Sequence, residues 1–278
     1  MKHFLYASVI LYAVSLIAVF IYHLKKTGTR TPLIETSGAG SERIYQGFEL
    51  LSKAALCAGL LSHTVALITR ISSTGHAPMA GMYETLVFFS WCAVLLSVIV
   101  VFRYNERATE LVTVPVAVLA LLFSFANEKQ GAPLPLILRT RWFETHVTFS
   151  FVAYAFFTLA FSAALLYLIY DAWINDESGR KKFEDIAAKA VLWGFGFFSA
   201  SMFTGAVWGY LAWGAYWMWE PKIIWSFIVW FYYAGAMHAY YVRQWRGKGL
   251  AFATLLGFFV VLFTYLGVSM LMKSSHSF

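Results

Sequence analysis

Long apolar runs alternate with short polar segments along this chain of 278 residues. A bilayer span needs about 20 consecutive apolar residues, and bare loops or open sheet edges cannot cross lipid, so each such run is predicted to be a helix. About eight runs qualify, some of them loosely, at 3–23, 48–69, 83–103, 111–126, 145–172, 190–213, 223–243 and 249–272. The pattern predicts an all-α, polytopic integral membrane protein, with a single membrane domain over residues 1–278.

The composition agrees with this prediction, because 60% of the residues are hydrophobic and only 13% are charged. These values exclude an ordinary soluble domain. Cys57 and Cys92 lie inside apolar runs without metal-ligand spacing, which excludes a disulfide framework and thiol chemistry. The first run is a full span in length and is followed by Lys25 and Lys26, so a retained helix is expected rather than a signal peptide.

Lysine and arginine concentrate in alternate connecting segments, which sets the orientation. The positive-inside rule places the N- and C-termini outside, together with the 127–144 loop and the segment 208–225. The net charge of +7 then reports membrane topology, and nucleic acid is not expected as a partner. Membrane lipid is.

The segment 208–225 has an unusual density of aromatic residues. Tryptophan has a large flat face and one N–H group, which suits the membrane–water boundary or a flat apolar ligand. An aromatic belt is the alternative, but belts are distributed over many helix ends. We therefore predict an external ligand surface, with Lys222 beside it and with these aromatic residues as its members: Trp208, Trp213, Tyr216, Trp217, Trp219 and Trp225.

Three histidines are candidate metal ligands. His146 and His276 are predicted to emerge on the same side as the tryptophan segment, one on each side of it in sequence. Two imidazoles facing each other across a flat aromatic wall form an axial-ligand pair for haem iron, whereas zinc would need further ligands that the outer loops scarcely offer.

His238 lies roughly 24 Å below Lys222 at helical rise, which is too deep to share that metal. The small residues 234–236 beside it leave room for a macrocycle, so it is predicted to ligate a second, inner haem. Close helix packing through small residues is the alternative interpretation. His63 is a weaker internal candidate.

Cations near the outer site would neutralise the two haem propionates. The candidates are Arg139, Arg141, Lys222 and Lys273. Interfacial anchoring is the alternative role for each of them.

Several ordered motifs, from roughly residue 50 to the end, resemble the CcsA/ResC family of cytochrome c biogenesis proteins (system II), within a superfamily that includes CcmC and CcmF. The run 213–222 is similar to the family's WWD motif, Trp-Gly-x-Tyr-Trp-x-Trp-Asp-Pro-Lys. Residues 75–78 and 82–86 resemble its Gly-His-x-Pro and Tyr-Glu-Ser segment. His146, His276 and His238 match its two external histidines and its transmembrane histidine.

The resemblance implies a subunit of a membrane cytochrome c haem-lyase (synthase) complex in the bacterial plasma membrane. With a CcsB/ResB-like partner, such a protein moves haem b across the membrane. It presents the haem outside for thioether attachment to the Cys-x-x-Cys-His motif of an apocytochrome c. The inner haem's other ligand would come from the partner.

The sequence departs from the family pattern at two places, and the second of them keeps a non-catalytic function open. Glu220 replaces the usual Asp, and Ile223-Ile224 replaces the usual Glu-Thr, which removes a carboxylate and a hydroxyl beside the predicted surface. The alternatives are a bis-His membrane haem protein for electron transfer and a non-catalytic tetrapyrrole-binding assembly factor.

Overall fold

The computed structural model describes residues 1–28, 39–128, 134–174, 176–241 and 245–272. Within these ranges the chain is helical, without a strand. The helices are α1 (Lys2–Gly28), α2 (Ala39–Thr74), α3 (Gly81–Tyr104), α4 (Glu110–Ala126), α5 (Arg141–Ile169), α6 (Glu177–Trp213), α7 (Pro221–Tyr241), α8 (Lys248–Leu262) and α9 (Val268–Leu271). A 3-10 turn covers Leu136–Leu138, and π turns extend α5 over Tyr170–Ile174 and join α8 to α9 over Phe263–Gly267.

The helices confirm an all-α, multi-spanning membrane protein. Within the described ranges, six helices are long and apolar enough to cross a bilayer. The other two predicted runs correspond to α4, which has 17 residues, and α7, which has 21. The orientation in the membrane remains a prediction.

One boundary differs clearly from the sequence prediction, because α6 begins at Glu177 and not near residue 190. Asp176 caps it by accepting hydrogen bonds from the N–H groups of Ser178 and Gly179. Salt bridges four residues apart, such as Lys181–Glu177 and Lys189–Asp185, then support the polar turns. The polar segment 177–189, which precedes the predicted apolar run, is therefore the first part of a long helix.

Helix α5 lies at the centre of the bundle and packs against α3, α4, α6 and α8. Its buried alanines, including Ala153, Ala160 and Ala164, allow the neighbouring helices to approach closely. At Gly194 of α6, an added Cβ would lie 2.6 Å from the Phe157 ring. The close α5–α6 pair forms the framework on which the candidate site is built.

Candidate functional site

A cavity of about 260 Å³ lies between α3, α5, α6, the start of α7 and the π turn of α8. Local signals in the sequence place its elements. Thr140 caps α5 by accepting from the N–H of Phe143, which puts residue 146 in the second helical turn. Gly214, with a φ of 75°, ends α6 in a left-handed cap. Pro221 then starts α7, so the tryptophan segment turns back over the cavity.

His146 lies on the cavity wall and is held by α6. Its Nδ1 is 2.8 Å from the carbonyl oxygen of Ser201. The hydroxyl of Ser150 donates to the His146 carbonyl at 2.8 Å and lies 2.6 Å from the Ser201 hydroxyl. A Cβ on Gly205 would lie 2.6 Å from His146 Nδ1, so a glycine is required where α6 passes the ring.

Two groups of Ser201 lie near His146 Nδ1, the carbonyl oxygen at 2.8 Å and the hydroxyl at 3.1 Å. The shorter distance, to the carbonyl, indicates which ring nitrogen carries the proton. A carbonyl oxygen only accepts, so Nδ1 of His146 is the donor to Ser201. A neutral imidazole that donates from Nδ1 has its lone pair on Nε2. Metal-ligating histidines characteristically donate their other N–H to a carbonyl or carboxylate in this way.

Trp208 and Trp213 form an inner aromatic wall of the cavity. The Trp208 ring lies 6.2 Å from that of His146 at an interplanar angle of 15°. Its Nε1 donates to the carbonyl of Ile137 at 2.9 Å, and Trp213 packs edge-on against it at 4.8 Å. The buried indole of Trp208 therefore holds the 3-10 turn and the imidazole in one unit.

Tyr216 and Trp217 form the exposed rim. Tyr216 stacks on Tyr210 with ring centroids 4.5 Å apart, and Trp217 packs against Phe227 at 5.0 Å. About half of each side chain remains exposed. The rim gives the cavity an opening lined by flat aromatic faces.

The structure does not bring Trp219 or Trp225 to the cavity wall. Trp219 is 86% exposed, and Trp225 packs against Phe263 at 4.5 Å. The spacing of tryptophans along a sequence does not specify which ring turns inward.

Lys222 lines the cavity, and no acidic oxygen in the described ranges lies within ion-pair distance of it. Arg139 donates to the carbonyl of Leu134, and Arg141 is exposed; neither lies on the wall. Ile223, which belongs to the Ile223-Ile224 departure from the family pattern, is on the wall. His276 and Lys273 lie outside the described residues.

His238 and His63 are away from the cavity. His238 is exposed on α7, on the same face as Gly235 and Phe231. His63 is buried, and its Nδ1 lies 3.2 Å from the Tyr12 hydroxyl. No cluster of three or more His, Cys, Asp or Glu side chains suited to a metal ion occurs in the described part of the chain.

Hydroxyl groups in the deeper part of the cavity were not predicted from the sequence. Thr85 of α3 and Tyr265 of the π turn lie 2.6 Å apart through their hydroxyl oxygens, and Tyr154 lies beside them. The sequence did contain one indication of them, because Ser150 lies one helical turn after His146. The Thr85–Tyr265 contact joins residues 180 positions apart and has no local signature.

The chain is similar to proteins of one family. Residues 79–276 match the model of the family described as "Cytochrome C assembly protein". A cytochrome c biogenesis protein CcsA from Chlamydomonas reinhardtii is 30% identical over 230 residues, which cover 76% of this chain and 64% of the relative. CcsA from Mesostigma viride is 28% identical, over 96% of this chain and 94% of the relative. CcsA from Gloeobacter violaceus is 25% identical, over 96% of this chain and 93% of the relative.

Proposed function

Because the chain belongs to the cytochrome c assembly protein family, we propose that it receives haem b as its transported substrate in the outer cavity and presents it to an apocytochrome c. Its role is in cytochrome c biogenesis. The observation that carries the proposal is the hydrogen bond from His146 Nδ1 to the Ser201 carbonyl, since it leaves Nε2 as the ligating nitrogen of the ring.

The residues present suit a porphyrin. His146 would ligate the iron, and the rings of Trp208, Trp213 and Trp217 would lie against a flat apolar macrocycle. Lys222 supplies a positive charge for a propionate, and it has no competing carboxylate among the described residues. His276 is proposed as the second axial ligand.

The chemistry requires positioning. When bound, haem supplies two vinyl groups, and each adds the S–H of an acceptor cysteine across its C=C bond with no leaving group. An addition of this kind depends mainly on holding the two partners in one orientation. His146 and the aromatic wall would hold the ring, while the rim formed by Tyr216 and Trp217 leaves an approach for the Cys-x-x-Cys-His segment.

A second, inner haem site at His238 belongs to the same proposal. The exposure of His238 on α7 suits a ligand shared with another chain, and a CcsB/ResB-like membrane protein is the proposed partner. We place the complex in the plasma membrane of a bacterium, as the similarity to the Gloeobacter violaceus protein supports.

The test is the absorption spectrum of the purified protein. In the His146→Ala variant we expect co-purifying outer haem to fall at least about tenfold, the scale on which a changed ligand shell lowers metal affinity, and added imidazole to restore it. His3→Ala, which removes an exposed histidine at the start of α1, is the matched control. Equal haem content and an unchanged spectrum in His146→Ala would refute the proposal.

A further inference from the structure

One wall of the cavity is a loop and not a helix. Residues 75–80 connect α2 to α3, and Met79 and Ala80 of this loop line the cavity. Gly75 and Gly81 flank it with φ values of 73° and 76°, a conformation that glycine adopts without strain. Because helical hydrogen bonds do not hold such a segment in place, contacts with side chains have to do so.

Glu84, which is 3% exposed, provides that support. One carboxylate oxygen accepts from Arg70 Nε at 2.8 Å, and the other accepts from the backbone N–H of Ala80 at 3.0 Å. The imidazole of His76 lies 4.0 Å from the second oxygen. A single carboxylate thus joins the end of α2, the loop and α3 through charge-assisted hydrogen bonds, which are the stronger class.

Thr85, the next residue, supports the same region from the cavity side. Its hydroxyl donates to the carbonyl of Gly81 at 2.8 Å, so it accepts from the Tyr265 hydroxyl at 2.6 Å. Tyr265 belongs to the π turn Phe263–Gly267, an irregularity that often occurs at functional sites. Glu84 therefore holds the loop, and the adjacent Thr85 holds the first turn of α3 on the side that faces the cavity.

From this geometry we propose that Glu84 is a positioning residue for the haem cavity. Its carboxylate holds Met79 and Ala80 where they close the wall against the bound macrocycle. The identity of the occupant rests on the proposed function, whereas the position of the loop does not.

A second buried ion pair supplies a matched control. Glu110 is 1% exposed and pairs with Arg107 at 3.3 Å, but Arg107, unlike the Ala80 that Glu84 holds, does not line the cavity. A general effect of losing a buried carboxylate would appear equally in Glu84→Gln and Glu110→Gln. A positioning effect would appear in Glu84→Gln alone.

The first readout is maleimide labelling of Ala80→Cys, in full-length protein with Cys57 and Cys92 replaced by Ser. We expect Glu84→Gln to raise the labelling rate about tenfold, as loss of a charge-assisted hydrogen bond implies, and Glu110→Gln to leave it unchanged. The second readout is the haem spectrum and content, which we expect to change only in Glu84→Gln.

Unchanged labelling in Glu84→Gln, or an equal rise in both variants, would overturn the proposal. If labelling rises as expected but the parent protein binds no haem, the loop support stands and the proposed function fails. If Glu84→Gln does not fold, Arg70→Gln gives a second test, because it removes the Nε donor to the Glu84 carboxylate and Arg70 does not line the cavity. Its control is Arg107→Gln, which removes the donor to the Glu110 carboxylate; an equal labelling rate in both variants would contradict the proposal.

Discussion

Some buried hydroxyl groups in α3 and α4 have different surroundings from those in α5 and α6. Ser90, Ser97 and Thr113 bury their hydroxyls without a hydrogen-bond partner in the described part of the first region. Ser150 and Ser201 of the second region bond to each other and to His146. Tyr233 and Thr254 are also unsatisfied, and both are away from the cavity wall.

The two groups of buried hydroxyls therefore differ in their effect on the protein. An unsatisfied buried polar group costs about 1–3 kcal/mol of unfolding free energy. Among the described residues, hydroxyls such as that of Ser97 therefore lower the stability of α3 and α4. Beside the cavity, the hydroxyls of Ser150 and Ser201 instead hold His146 in position. We therefore expect substitutions to have opposite consequences in the two regions.

The largest expected effect comes from Gly205→Ala. The new Cβ would lie 2.6 Å from His146 Nδ1 and would displace the ring from the Ser201 carbonyl. We therefore expect more than about tenfold loss of bound haem, the scale for losing the group that orients a metal-ligating histidine. Difference spectra of the reduced protein measure it. Gly196→Ala on the same helix is the control, because nothing lies within 4 Å of its added Cβ; equal haem in both variants would contradict the assignment.

A smaller effect is expected for Lys222→Met. Removing the charge should weaken haem binding by about tenfold, the usual scale for a charge-assisted hydrogen bond, with no change in the iron ligands. Haem titration of the apoprotein gives the affinity. The control is Lys181→Met, which removes an exposed lysine that pairs with Glu177 and should leave the haem affinity unchanged. An unaffected affinity in Lys222→Met would exclude the propionate contact.

The smallest effect tests the comparison directly. Ser150→Ala removes a hydroxyl that bonds to the His146 carbonyl and to Ser201, so we expect about 1 kcal/mol of lost unfolding free energy. Ser97→Ala removes an unsatisfied hydroxyl and should be neutral or stabilising. Denaturant unfolding in mixed micelles measures both, and equal destabilisation would remove the distinction between the regions.

Much of this architecture was accessible from the sequence. Run length alone predicted the helices, because lipid allows few alternatives, and His146, Trp208, Trp213, Tyr216, Trp217 and Lys222 do line one cavity. The Ser201 carbonyl, Gly205 and the Thr85–Tyr265 contact were not predicted, since each depends on how two helices face each other. Sequence reasoning grouped Trp219 and Trp225 with the site by proximity along the chain, which does not determine side-chain direction.

The bond from the Trp208 indole to the Ile137 carbonyl has an evolutionary consequence. Together with the bond from Arg139 to the Leu134 carbonyl, it fixes the chain length between residue 134 and the start of α5. Insertions and deletions among relatives should therefore accumulate before Leu134. A lineage that changes the spacing after it would have to replace the tryptophan as well.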